Sequence, residues 1–387
     1  MREKDRQALE ALAGARPDAL DPTRLAGSPR QQQDLTELMS ERSVRIGGRR
    51  VLPRRRALVP LVGLAAAAAV GIAAVAVGVT HDPPARSTAA KPDGHIVLLT
   101  MADSVQNQAT SGNYWQFETQ SQDLDLIAQQ GSTDPRPYVV ADTSQNSLSY
   151  GVLPGEVSLL VSGINEKRGP WTAQDTHRWL LAGSPATVDA DPGFRKENMQ
   201  SLAVPVGGGQ PTVDHIGYGG DIGQLGRHIV TYAYLRQLPS DEAQLGQVLA
   251  KLYQQVGGGA EDDEQDWMFD QIGDLITMPL SSAVRAAAYR VLADLPGITS
   301  LGPVTDPLGR SGIGVALPPR PVGDLGEEQQ QLIVDPATST ILAQQTVLVR
   351  PAKLAVAAGM NSGTPINYTA TLHIGWTDQQ VEVPTTR

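Results

Sequence analysis

The chain has 387 residues, a formal net charge of −10 and no cysteine. The lack of cysteine excludes disulfides, thiol catalysis and thiolate zinc sites. Aromatic residues make up 4% and include three Phe, so aliphatic side chains must fill whatever core forms.

Residues 1–56 carry net charge +5 and few large apolar side chains. Leu9 with Leu12, and Leu35 with Leu38 and Met39, give short helical spacings, interrupted at Asp21-Pro22 and Ser28-Pro29. Such a segment is too small and polar to fold alone, and reads as a mostly disordered tail that orders on a partner. Ala57 to Val79 follows, 23 residues without a charge. As a helix it would cover about 34 Å, enough for a hydrocarbon core of ~30 Å. Its ten Leu, Ile and Val favour insertion. Seven arginines, Arg42 to Arg56, lie on the N-terminal side within 15 residues. The positive-inside rule then places residues 1–56 in the cytoplasm and the remainder outside the cell membrane, with the bilayer as partner of 57–79.

After a Pro-containing linker, 80–92, residues 93–387 form the extracytoplasmic domain. Residues 57–387 carry net charge −15, which argues against a nucleic-acid partner there. Ile96 to Val105 predicts a helix over about 94–107, capped by Asp93. Tyr114 to Thr119 alternates like a strand, and the polar run 120–147 reads as a long excursion. Leu148 to Val161 predicts a strand pair around the turn Leu153-Pro154-Gly155-Glu156. Residues 182–226 show little pattern. Leu245, Val248, Leu249, Leu252, Tyr253 and Val256 then make a helical stripe ended by Gly257 to Gly259. A second helix spans about 263–277. A third, capped by Ser281 or Ser282, carries Val284, Ala288, Val291, Leu292 and Leu295 and closes at Pro296-Gly297. From Ile298 the period becomes two. One hairpin turns at Asp306-Pro307-Leu308-Gly309, another at Asp335-Pro336-Ala337-Thr338, and Tyr368 to Trp376 is a last strand. The order predicts an α+β fold, a curved antiparallel sheet with helices on one face. Such a domain should fold without membrane, metal or disulfide.

Leu295-Pro296-Gly297-Ile298, Asp306-Pro307-Leu308-Gly309-Arg310 and Val334-Asp335-Pro336-Ala337-Thr338, with Tyr114-Trp115 after a helix and the Arg-rich run before an Ala-rich span, carry a resemblance. The chain resembles actinobacterial single-pass membrane proteins of an uncharacterised family often found beside extracytoplasmic-function sigma factors. The resemblance implies an exterior half-barrel like that of lipoprotein carriers and periplasmic sigma regulators, and a sigma factor as partner of residues 1–56.

No residue set reads as catalytic, cofactor-binding or metal-ligating. Gly217 to Gly223 lacks the strand–helix frame of a dinucleotide loop. Asp189-Ala190-Asp191-Pro192-Gly193 lacks the distal Glu of a calcium loop. Glu261, Asp262, Asp263, Glu264 and Asp266 suit a helix N-terminus. The six histidines, at 81, 95, 177, 215, 228 and 373, are scattered. Asp175 and His177, between Trp171 and Trp179, suit either a pocket or core packing. The expected function is a non-enzymatic envelope regulator or sensor. A tethered carrier or binder of a lipid or other hydrophobic ligand is the alternative, and an unrecognised membrane-anchored enzyme the third reading.

Overall fold

The computed structural model describes residues 93–105, 111–127, 136–190, 202–216, 221–255, 264–322 and 325–381. Residues 1–56, the 57–79 stretch and the linker lie outside these. Among the described residues no helix is long and apolar enough to cross a membrane.

The chain opens with α1 (Gly94–Val105). The strands β1 (Tyr114–Ile127), β2 (Tyr138–Gly151) and β3 (Ser158–Pro170) follow. A helix, α2 (Ala173–Leu181), leads to short strands β4 (Thr187–Ala190), β5 (Leu202–Pro205), β6 (Thr212–Ile216), β7 (Asp221–Leu225) and β8 (His228–Thr231). Then come α3 (Tyr232–Leu235), α4 (Glu242–Gln255), α5 (Glu264–Ile276) and α6 (Ser282–Ala293). The C-terminal part holds β9 (Thr299–Thr305), β10 (Ser311–Ala316), β11 (Arg320–Val322), β12 (Gly326–Asp335), β13 (Thr340–Pro351), α7 (Lys353–Ala357) and β14 (Thr364–Thr377).

Ten strands make one open antiparallel sheet in the order β6-β3-β2-β1-β14-β13-β12-β10-β9, with β11 also on β12. The last strand, β14, therefore inserts between β1 and β13 and joins the N-terminal strands to the C-terminal meander. Register shifts interrupt β1/β14, β2/β3, β12/β13 and β13/β14. Each extra residue bends its strand and adds twist.

Two expectations are corrected here. Residues 120–147 are not an excursion: β1 runs on to Ile127, and β2 returns from Tyr138 in unbroken register with it. Their middle is polar on both faces, so hydropathy shows no alternation, and pairing rests on backbone ladders and contacts such as Ser121 Oγ to Ser144 Oγ (3.3 Å). Residues 182–226 also contain strands, the pair β4/β5 together with β6 and β7, too short to give a period; β7 pairs with β8 just beyond.

The helices are set down for local reasons. His95 N–H of α1 donates to the Asp93 carboxylate at 3.2 Å. Ser281 Oγ accepts from Val284 N–H at the start of α6. Ala286, Ala287 and Ala288 are buried without remainder, so α6 lies at the centre of the helical layer, buried on more sides than the expected stripe. Tyr289 of α6 donates its hydroxyl to the Ser339 carbonyl at 2.8 Å and pins the helix to the β12–β13 turn. A Cβ at Gly94 would come within 2.7 Å of the Thr299 backbone, so glycine is what lets α1 lie on β9. The largest apolar cluster joins α1, α4, α5 and α6 to Trp115, Leu148, Tyr150, Leu332, Val334 and Ile341 on one face of the sheet. Both expected turns form. Asp306 accepts from Leu308 and Arg310 N–H at 3.0 and 2.7 Å, and Asp335 from Ala337 N–H at 2.9 Å.

Candidate functional site

A cleft of about 280 Å³ opens where the C-terminal end of α5, the start of α6, the β12–β13 turn and the paired ends of β1 and β14 converge. Trp115 of β1 stands opposite Trp376 of β14 in register. Their rings meet edge to face, 5.1 Å between centroids. Trp115 Nε1–H donates to the Thr277 carbonyl at 3.1 Å, fixing the ring beneath the helices. Ile276, Ile341 and Ile374 give the cleft apolar walls.

Arg285 supplies its charge. The residue is 6% exposed, and its guanidinium lies 5.0 Å from the Trp115 ring centre. Nε donates to the Ile276 carbonyl at 3.0 Å and Nη2 to the Met278 carbonyl at 2.9 Å. These carbonyls end α5, whose dipole offsets roughly half a unit charge. No described carboxylate pairs with Arg285, and neither bond uses Nη1. Burial lowers its pKa to about 10, so it remains a cation at neutral pH. Two further polar atoms in the lining, Trp376 Nε1 and Ser339 Oγ, are buried without a hydrogen-bond partner. Ser339 sits at φ 53°, a left-handed conformation that the turn imposes. The cleft thus offers aromatic and aliphatic walls and one cation.

The sequence-derived candidates are not assembled into a second site. Asp175 is buried as the partner of Thr172 N–H (3.0 Å) and Val139 N–H (2.9 Å), closing a capping box at α2. His177 is exposed, and Trp171 and Trp179 pack into two separate clusters, so the four do not line a pocket. Asp189 lies in β4, while 191–193 fall outside the described residues. Glu264 and Asp266 open α5, with Asp266 on Arg320, and 261–263 are outside. Asp221 to Gly223 begin β7, and 217–220 are outside. His228 packs tilted against Tyr234, 4.4 Å between ring centroids, and His95 Nδ1 meets the Ala293 carbonyl at 3.1 Å. Among the described residues no cluster of three His, Asp or Glu could hold a metal.

Sequence reasoning passes over Arg285 and Ser339. A signal existed for the first: it is the one charge in Val284-Arg285-Ala286-Ala287-Ala288, inside a helix otherwise apolar at that point. Comparison with family models, with curated proteins and with solved structures gives no match to this chain.

Proposed function

We propose that the protein is a membrane-anchored, non-enzymatic sensor of the cell envelope. In this reading residues 57–79 span the membrane, 93–387 form the extracytoplasmic ligand-binding domain, and 1–56 engage a cytoplasmic protein. A sigma factor is the partner that the family resemblance implies. The observation that carries the reading is the cleft. It combines apolar walls with a buried cation, the composition of a small-molecule site. The open, bulge-interrupted sheet with its helical layer supports the half-barrel likeness at the level of architecture.

The volume favours the sensor reading over the carrier. At about 280 Å³ the cleft lies just below the ~300–1,000 Å³ of drug-sized sites, which favours a compact ligand over lipid cargo. The test is a thermal-shift screen of small metabolites on the full chain, followed by amide hydrogen exchange. A true ligand raises Tm and slows exchange at Thr277 and across Ser339 to Ile341. A screen with no such compound, or protection elsewhere alone, counts against a ligand site in the cleft.

A further inference from the structure

We infer that the cleft takes a small monocarboxylate with a compact apolar or aromatic body, its carboxylate on Arg285 and its body against the two indoles and Ile341. This rests on reading the cleft as a ligand site and names the chemistry of what enters it.

The donor set argues for an anion. The one charged group in the lining is a guanidinium, which donates and cannot accept, and neither of its two hydrogen bonds uses Nη1. A neutral apolar ligand would leave that charge unmatched in a low-dielectric site, which is costly. Holding the carbonyls of Ile276 and Met278 gives Arg285 a structural task, but leaves Nη1 outside both bonds. The charge count argues for one negative charge. Arg285 is matched by no described carboxylate, and the α5 terminus offsets part of it. A phosphate monoester would bring a second charge with no cation to meet it. A guanidinium suits a carboxylate. The apolar walls and the ring pair suit a compact hydrocarbon or aryl group.

The experiment is titration calorimetry on the full chain in lipid nanodiscs, with empty nanodiscs as blank. The probes are benzoate and cyclohexanecarboxylate against their neutral carboxamides at pH 7.5. The expected result is a carboxylate at least ~10-fold tighter than its carboxamide, roughly the 1.4 kcal/mol that separates a charged from a neutral hydrogen-bond partner. Arg285→Gln should erase that preference, and Thr340→Trp, which fills the cleft from the β13 side, should block both probes. Thr340→Trp leaves the Arg285 capping bonds intact and so keeps the test valid if Arg285→Gln does not fold. Arg227→Gln, at an exposed position, should bind like wild type. Equal binding of carboxylate and carboxamide, or a preference that survives Arg285→Gln, overturns the inference while leaving the cleft a ligand site. Absence of binding by both carboxylates overturns it too. The ligand-site reading falls only if the screen and exchange experiment above also find nothing.

Discussion

The two faces of the ten-stranded sheet handle polar side chains in opposite ways. On the face turned from the helices, amides pass hydrogen bonds from strand to strand. Asn165 donates to Gln145 (3.1 Å), Gln145 to Gln120 (3.3 Å) and Gln120 to the Tyr368 hydroxyl (3.3 Å). Beyond Tyr368, Gln345 donates to Gln331 (2.8 Å), Gln331 to Gln329 (3.0 Å) and Gln329 to the Leu317 carbonyl (2.8 Å). On the covered face a polar group must find a helix or go without. Gln344 reaches Asp274 of α5 at 3.1 Å. Glu328 is 3% exposed, and one of its carboxyl oxygens has no partner. Burial pushes its pKa up to about 7 against the pull of Arg320, its register partner on β11. The lesson is that lateral amide rows link polar side chains across one face, whereas on the covered face Gln344 takes a helix partner and Glu328 a raised pKa.

The sharpest way to break the comparison is to empty the dry face. Phe269 of α5 is buried in the main cluster, and Phe269→Ala should cost about 3–5 kcal/mol from lost contacts and the cavity left behind. Urea denaturation of purified 93–387 in chelator, which should itself be cooperative, reads this directly. A loss below about 1 kcal/mol would mean that the helical layer is not packed as described.

Glu328 gives the next effect. Its folded pKa lies above the unfolded value, so the folded state holds more protons between about pH 4.5 and 7. Its contribution to stability is present at low pH and is lost as pH rises through that window, by about 3 kcal/mol at most. Glu328→Gln should therefore be more stable than wild type at pH 7.5 and nearly equal to it at pH 4.5. Parallel denaturation curves at both pH values check the sign. A variant that is equally stabilised or destabilised at both would show that the carboxyl ionises in the folded state as it does unfolded.

The turns lie between the two regimes. The Asp306 carboxylate is buried, with Arg310 Nε on it at 2.7 Å and two backbone N–H groups besides. Asp306→Ala should cost roughly 2–3 kcal/mol, the scale of charged hydrogen bonds, since part-exposed Arg310 can turn to water. The smallest change is expected on the amide face. Gln345→Ala removes one link of the row and should cost about 1 kcal/mol or less. A larger loss, seen in the same denaturation assay, would make the row a cooperative network rather than a series of single bonds.

Much of the α+β architecture is legible in the sequence, because its punctuation is local. Asp306-Pro307-Leu308-Gly309 and Asp335-Pro336-Ala337-Thr338 form turns from their own side chains, and the stripe of Leu245, Leu249 and Leu252 is buried on α4 as its period implies. The long strands β1 and β2 escape the same reading. Their central residues meet only across strands, and a bond such as Gln145 to Gln120 leaves no hydropathic trace. The place of β14 between β1 and β13 is likewise a long-range fact. The cleft is the least legible part. Trp115, Arg285, Ser339 and Trp376 come from four separate elements or turns, and the unpaired state of Trp376 Nε1 depends on what the fold puts around it.

The central claim of the account is that the cleft-bearing domain works outside the membrane while residues 1–56 stay in the cytoplasm. It rests on the uncharged stretch Ala57 to Val79 and the arginines that precede it. Reporter fusions test it most directly. Alkaline phosphatase joined after residue 150 should be active, and the same enzyme joined after residue 45 should be inactive. The reverse pattern, or activity at neither junction, would contradict the topology and with it the assignment of the cleft to an extracytoplasmic sensor.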